Sequence, residues 1–262
     1  MDLGLAGRVY VVSAGSRGLG FAGARTLVEQ GARVVISGRN NARIKAAVQE
    51  LGGHNVAVGL SADLADASSA ERLGATAFAR FGRLDGALIS CGGPEAGGIL
   101  SITDEQWQSA FDSVFLGPLR VARAVAASIV HPTNRGLSGT GGAMLFVLST
   151  SVRTAIPGLS ISNALRPAMA AVVKDFADAL GPRGIRVNGV MPGRIATDRT
   201  FALDARSGTP ERTRIRNEQA IPLGRYGEPA EFGQLAAFLL SPASAYTTGS
   251  VVVADGGALR TI

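Results

Sequence analysis

Short apolar runs alternate with helically patterned segments along all 262 residues of the chain. Runs rich in Val, Ile, Leu and Ala at 8–13, 33–37, 55–60, 84–90, 143–149, 185–191 and 250–254 read as strands. They are apolar at nearly every position rather than every second one, the pattern of strands covered on both faces. Between them, 18–30, 41–51, 68–81, 104–130, 160–180 and 229–240 carry a helical apolar rhythm. In the first of these, Leu19, Ala22 and Leu27 share one side and Gly31 supplies a stop. Strand and helix in steady alternation predict one α/β domain over 1–262, with a doubly wound, seven-stranded parallel sheet and helices on both faces.

Two segments depart from the rhythm, 92–102 and 194–228, and both follow strand ends. Ligands of open parallel sheets bind beyond the carboxyl ends of the strands, so these segments are expected to meet a substrate, the longer one as a lid. Gly136 to Gly142 reads as a connecting loop before the fifth strand.

The first strand runs into Ser13-Ala14-Gly15-Ser16-Arg17-Gly18-Leu19-Gly20 and then into a helix. Glycines let a backbone turn tightly and approach a pyrophosphate, while the N–H groups at the helix start attract the anion. Gly15, Ser16, Arg17, Gly18, Leu19 and Gly20 are therefore expected to cradle a dinucleotide in a Rossmann-like fold. After the second strand, where an acid would bind the ribose hydroxyls of NAD, the chain has Ser37-Gly38-Arg39. Arg39 together with Arg17 suits a 2'-phosphate, so the predicted cofactor is NADP(H). Asp63-Leu64, after the third strand, either binds the adenine or places Asp63 at a helix N-terminus.

Composition narrows the picture. The chain is 46% hydrophobic with 35 glycines, enough for a sizeable core. Cys91 is the only cysteine, so no internal disulfide forms, and His54 and His131 lack metal-ligand spacing. No apolar run approaches the roughly 20 residues of a membrane span, so a cytoplasmic protein with neither a metal nor a membrane is expected. The formal charge of +6 comes almost wholly from scattered arginines rather than a basic stripe, which argues against nucleic acid. Arg194, Arg199, Arg206, Arg212, Arg214, Arg216 and Arg225 do gather in or near the lid segment. They suggest a small-molecule substrate that is acidic or carried on phosphopantetheine, beside the plainer reading of a solvated loop.

Together these motifs resemble the short-chain dehydrogenase/reductase family over essentially the whole chain. Besides the glycine loop and Asp63-Leu64, the resemblance rests on four further groups of residues. These are Leu148-Ser149-Thr150-Ser151; Arg186-Val187-Asn188; Pro192-Gly193 with Thr197; and Pro222-Leu223-Gly224-Arg225, Glu228-Pro229-Ala230-Glu231 and Asp255-Gly256-Gly257. The resemblance implies a nicotinamide lined by Pro192, Gly193, Ile195 and Thr197, with Gly92 also at the cofactor. It further implies a homodimer or homotetramer built on the long helices and the C-terminal segment.

The departures bear on chemistry. Ala14 replaces the usual first glycine, and Ser90-Cys91-Gly92-Gly93 replaces Asn-Asn-Ala-Gly. The family's Tyr-x-x-x-Lys falls on Ser162 and Arg166, and its helix asparagine falls on Val114. The usual serine is Ser149 or Ser151, with Thr150 as a third possibility. A serine hydroxyl is a far weaker acid than a phenol, and a guanidinium stays protonated, so ordinary proton delivery is missing. Ser149, Ser151, Ser162 and Arg166 are the candidate catalytic set, with Arg166 also holding the nicotinamide ribose. Tyr226, in the lid region, is a conceivable replacement acid. The first expectation is an NADPH-dependent oxidoreductase of a carbonyl or hydroxyl substrate with altered proton delivery. The alternatives are a cofactor-binding dehydratase, lyase or cyclase, and a non-catalytic NADPH-binding regulator.

Overall fold

The computed structural model describes residues 2–129, 141–206 and 208–261. His131 and residues 136–140 of the predicted glycine loop lie outside them. Seven strands form one sheet: β1 (Val9–Val12), β2 (Arg33–Gly38), β3 (Ala57–Ser61), β4 (Gly86–Ile89), β5 (Gly142–Val147), β6 (Ile185–Pro192) and β7 (Val251–Ala254). Their order is β3-β2-β1-β4-β5-β6-β7 and every pairing is parallel. Each predicted strand is present, with ends displaced by a residue or two, as expected where fraying rather than pattern sets the boundary.

Burial explains why the strands read as continuous apolar runs: every residue of β1, β4, β5 and β6 is buried. Helices cover both faces. On one side α3 (Ser68–Phe81), α5 (Gly117–Ser128) and α6 (Ser160–Leu180) supply Leu73, Val121, Val125, Met169 and Val173. On the other, α1 (Gly18–Glu29), α2 (Asn41–Glu50) and α9 (Pro229–Leu240) supply Leu27, Val48, Phe232 and Ala236. A fully buried side chain of this size contributes about 1.5–3 kcal/mol, so the two layers fix the sheet from both sides.

The chain reverses direction across the sheet between β1 and β4, and this switch point opens a crevice at their carboxyl ends. Ser13 ties the two ends together: its hydroxyl donates to Ser90 O at 2.6 Å and accepts from Ser90 N at 3.0 Å. The glycine loop and the Ser90–Gly93 segment therefore border the same opening.

Two predicted spans need correction. The segment 104–130 is not one helix: α4 (Asp104–Ala110) passes into a π-helical stretch, Phe111–Leu116, before α5, which ends at Ser128. A π segment adds a residue to the turn and often marks a functional site; Val114 lies within this one. The segment 194–228 is not irregular either, since it holds α7 (Asp198–Ala205) and α8 (Pro210–Gln219). Each buries a single residue, Asp204 and Thr213 respectively, so neither carries the apolar stripe by which a helix is recognised in a sequence.

Candidate functional site

The glycine loop leaves β1 and is held against β2 by Gly15 N donating to Ser37 O at 2.8 Å. Side chains are excluded there by contact. A Cβ on Gly15 would stand 2.8 Å from Val12 O, and one on Gly20 would collide with Ala14 O. Gly18 has φ +56°, and nothing lies near where its Cβ would be. Ala14, in the place of a glycine, is held at φ +48°, a left-handed conformation that costs an L-residue about 1–2 kcal/mol.

The start of α1 is prepared for an anion. Arg17 occupies the N-cap position without a side-chain hydrogen bond, and the first turn contains no acid. The leading N–H groups are thus left to a ligand, with the positive end of the helix dipole behind them. Beside them lies a groove of about 370 Å³ lined by residues that include Ser16, Arg17, Gly18, Phe21, Arg43 and Asp198. Arg39 is exposed just beyond β2. Arg43 was not anticipated from sequence. It lies on α2, whose N-cap Asn40 accepts from Arg43 N at 2.9 Å, and nothing local marks its side chain as facing Arg17. These features fit the phosphates of a dinucleotide.

Asp63 neither begins a helix nor is held free: its Oδ1 accepts from Ala65 N at 3.0 Å, closing a local turn, while α3 starts later, at Ser68. Leu64 is buried, and its backbone presses so closely on Gly117 that a Cβ there would lie 2.6 Å from Leu64 O. Pro192 ends β6. Gly193 N then donates to Ala254 O at 2.9 Å, and a Cβ on Gly193 would lie 2.6 Å from that of Asp255. Ile195 is buried, and Thr197 caps α7 by accepting from Thr200 N at 3.4 Å. Arg186 and Asn188 serve structure: Arg186 donates to Leu239 O, Ser241 O and Thr247 O, fixing the end of α9, and Asn188 donates to Thr247 O.

Ser162 and Arg166 stand one helical turn apart on α6, and both are buried. Ser151 Oγ lies 3.0 Å from Ser162 Oγ, so Ser151 is the partner of Ser162. Ser149 instead accepts from Ser151 N at 3.1 Å, capping the short 3-10 turn Thr150–Val152. Arg166 donates through one terminal nitrogen to Val147 O and through the other to Gly92 O, both at 2.7 Å. Its guanidinium therefore bridges the carboxyl ends of β5 and β4, and its Nε has no partner. Pro167, the next residue, interrupts the backbone hydrogen bonding of α6 at this level.

Val114 puts an apolar side chain, 3% exposed, where a polar one was expected from the resemblance. Cys91 Sγ lies 4.0 Å from Val114 O and 3.5 Å from Gly92 O, a partly buried thiol packed on backbone. Tyr226 is committed elsewhere. Its hydroxyl donates to Asp204 at 2.8 Å and accepts from Asn217 at 3.0 Å, while Arg194 reaches Asp204 at 2.8 Å. Burial above all, with a contribution from Asp204, pushes the Tyr226 phenol above its ordinary pKa. Tyr10 is buried and donates to Leu240 O, and Tyr246 is fully exposed. No tyrosine is thus placed to act as the missing acid. No cluster of metal-ligating side chains occurs among the described residues, and none of their helices is long and apolar enough to cross a membrane.

The family model described as enoyl-(acyl carrier protein) reductase matches residues 13–258. Dehydrogenase/reductase SDR family member 4 of Homo sapiens is 34% identical over 260 residues, spanning 97% of this chain and 88% of its own. L-rhamnose 1-dehydrogenase (NAD(P)(+)) of Azotobacter vinelandii is also 34% identical over 260 residues, spanning 95% of this chain and 96% of its own. Among solved structures, L-sorbose reductase of Gluconobacter frateurii, complexed with NADPH and L-sorbose, superposes with a TM-score of 0.90 over the whole of both chains at 24% identity, a likeness of fold.

Proposed function

The chain belongs to the short-chain dehydrogenase/reductase family, a family of oxidoreductases, and on that premise we propose that it is an NADP(H)-dependent oxidoreductase of a small carbonyl or hydroxyl substrate. The observation that carries the cofactor reading is the uncapped, acid-free start of α1 beside a groove holding Arg17 and Arg43, with Arg39 at the end of β2. A curated relative whose name includes NAD(P)(+) is consistent with it.

When bound, the reduced nicotinamide supplies a hydride. The residues of this chain then have three tasks. Ser151 and Ser162, in contact with each other, offer hydroxyl donors to the substrate oxygen. Arg166, fixed across the ends of β4 and β5, sets a positive charge where negative charge develops on that oxygen. For the third task, delivering a proton, no tyrosine is at hand, since Tyr10 and Tyr226 are held by other partners, so the oxygen takes its proton from water as the carbon gains its hydrogen. Loss of a positioned general acid typically costs about 10²–10⁴ in rate, so a slow chemical step on simple ketones is expected.

Titration calorimetry with NADP⁺ and NAD⁺, followed by loss of reduced-nicotinamide absorbance over a carbonyl panel, tests the proposal. Tighter binding of NADP⁺ by about tenfold or more and slow, substrate-dependent oxidation of NADPH are expected. Cofactor binding with no oxidation on any substrate would refute the redox assignment and leave a dehydratase, lyase or cyclase, or a regulator, as the reading to pursue.

A further inference from the structure

Two guanidiniums grip one short segment above the ends of β4 and β5. Arg166 donates to Gly92 O from α6, and Arg199 donates to Pro94 O at 2.5 Å from α7. Arg199 lies flat against Gly93, where an added Cβ would stand 2.6 Å from its Nε and 2.9 Å from its Cζ. Glycine at 93 therefore leaves the space that the guanidinium fills.

Neither arginine has a carboxylate partner among the described residues. The two acids nearest Arg199 and its gripped segment in sequence are turned away. Glu95 accepts from Gln106 at 2.9 Å, and Asp198 lines the groove beside Arg17. Arg166 is 6% exposed and keeps an unpartnered Nε. Burial, reinforced by the positive charges of Arg206 and Arg166, pulls the Arg199 guanidinium below the usual arginine range. Arg166 is buried and Arg199, though exposed on α7, packs part of its guanidinium on Gly93; two like charges held on one segment with no carboxylate on either are balanced by an anion from outside.

We propose that Arg199 and Arg166 form a clamp for a carboxylate of the substrate, so that the enzyme acts on a keto or hydroxy acid rather than on a neutral carbonyl compound. The inference rests on the proposed function in one respect, that substrate sits over the ends of β4 and β5. Fork geometry favours a carboxylate over a phosphate. The backbone takes three of the ten guanidinium N–H groups, two of Arg166 and one of Arg199, and those that remain lie in the planes of the two forks. A planar monoanion with two oxygens matches them better than a tetrahedral dianion. The Gly92–Pro94 segment then orients the clamp through its carbonyls, and α7 delivers Arg199 to it.

The test is calorimetric binding of acetoacetate, methyl acetoacetate and inorganic phosphate to the full chain with NADP⁺, with NADP⁺ affinity measured on each preparation. Wild type is expected to bind the acid at least about tenfold more tightly than its ester or phosphate. Charge-assisted hydrogen bonds lost in Arg199→Gln should weaken acid binding by roughly ten- to a hundredfold. Gly93→Ala keeps Arg199 but displaces its guanidinium, and a comparable loss is expected. Arg212→Gln removes an exposed charge on α8 and should leave the acid preference in place. Equal binding of acid and ester, no measurable binding of the acid, preference for phosphate, or an acid preference that survives Arg199→Gln would overturn the clamp. NADP⁺ binding alongside such a result sinks the clamp alone. A clamp that behaves as expected in a protein that ignores NADP⁺ sinks the cofactor reading instead.

Discussion

Restoring the family's lysine by Arg166→Lys is expected to destabilise the protein. Arg166 holds two carbonyls 2.7 Å away on different segments, Val147 O at the end of β5 and Gly92 O in the loop after β4, and is 6% exposed. A lysine presents its donors from one nitrogen and cannot reproduce the spread of a guanidinium fork, so one of the two carbonyls loses its partner. A hydrogen bond from a charged group contributes about 1.5–3 kcal/mol, and a buried acceptor left unpaired costs about 1–3 kcal/mol. Relaxation of the surrounding backbone recovers part of this, leaving a net loss of about 2–4 kcal/mol. For a chain of 262 residues, an unfolding entropy of roughly 2 cal/mol/K per residue converts that loss into a fall in Tm of about 4–7 °C. Urea unfolding and a thermal scan of both proteins in parallel measure it. A variant within about 0.5 kcal/mol of wild type would show that the guanidinium is not what ties the loop after β4 to the end of β5, and the assigned role of Arg166 would fall with it.

Three further outcomes follow from local geometry. Ala14→Gly relieves a left-handed alanine and adds some backbone entropy to the unfolded chain, so urea unfolding should register a net gain of up to about 1 kcal/mol; a loss of stability would mean the φ of +48° carries no strain. Tyr226→Phe removes the phenol from buried Asp204, and amide exchange of residues 198–219 should quicken by about tenfold while exchange in the central strands stays unchanged. Glu231 has its pKa lowered to about 2, first by its hydrogen bond with Arg225. Because the folded pKa lies below the unfolded one, the stabilisation is present above about pH 4.5 and is lost as pH falls toward about 2. Wild type should therefore exceed Glu231→Gln in stability at pH 6, and the gap should close between about pH 4.5 and 2; a gap constant with pH would rule out the ion pair as its source.

The strands and the helices with an apolar stripe were legible in sequence because burial on both faces forces composition. β1, β4, β5 and β6 are buried throughout, and α6 buries seven positions at helical spacing. The helices within 194–228 were not legible. α7 and α8 are held by polar contacts among Arg194, Asp204, Asn217 and Tyr226, which lie up to 32 residues apart and leave no period to read. The choice between Ser149 and Ser151 could not be made by counting either, since a 3-10 turn sets which hydroxyl points to Ser162.

Sequence alone determined the order of strand and helix, the glycine loop with its arginines, and the absence of Tyr-x-x-x-Lys, because each is a property of neighbouring residues. The tertiary structure decided that Arg166 spends its charge on the ends of β4 and β5 and that Arg199 comes down on Gly93. It also decided that Tyr226 is tied to Asp204. These facts depend on strand order and on where α7 comes to lie against the segment after β4. Contacts between residues as distant as Pro94 and Arg199 have no local signature. Their cause is the switch point between β1 and β4, which gathers the loops at one end of the sheet.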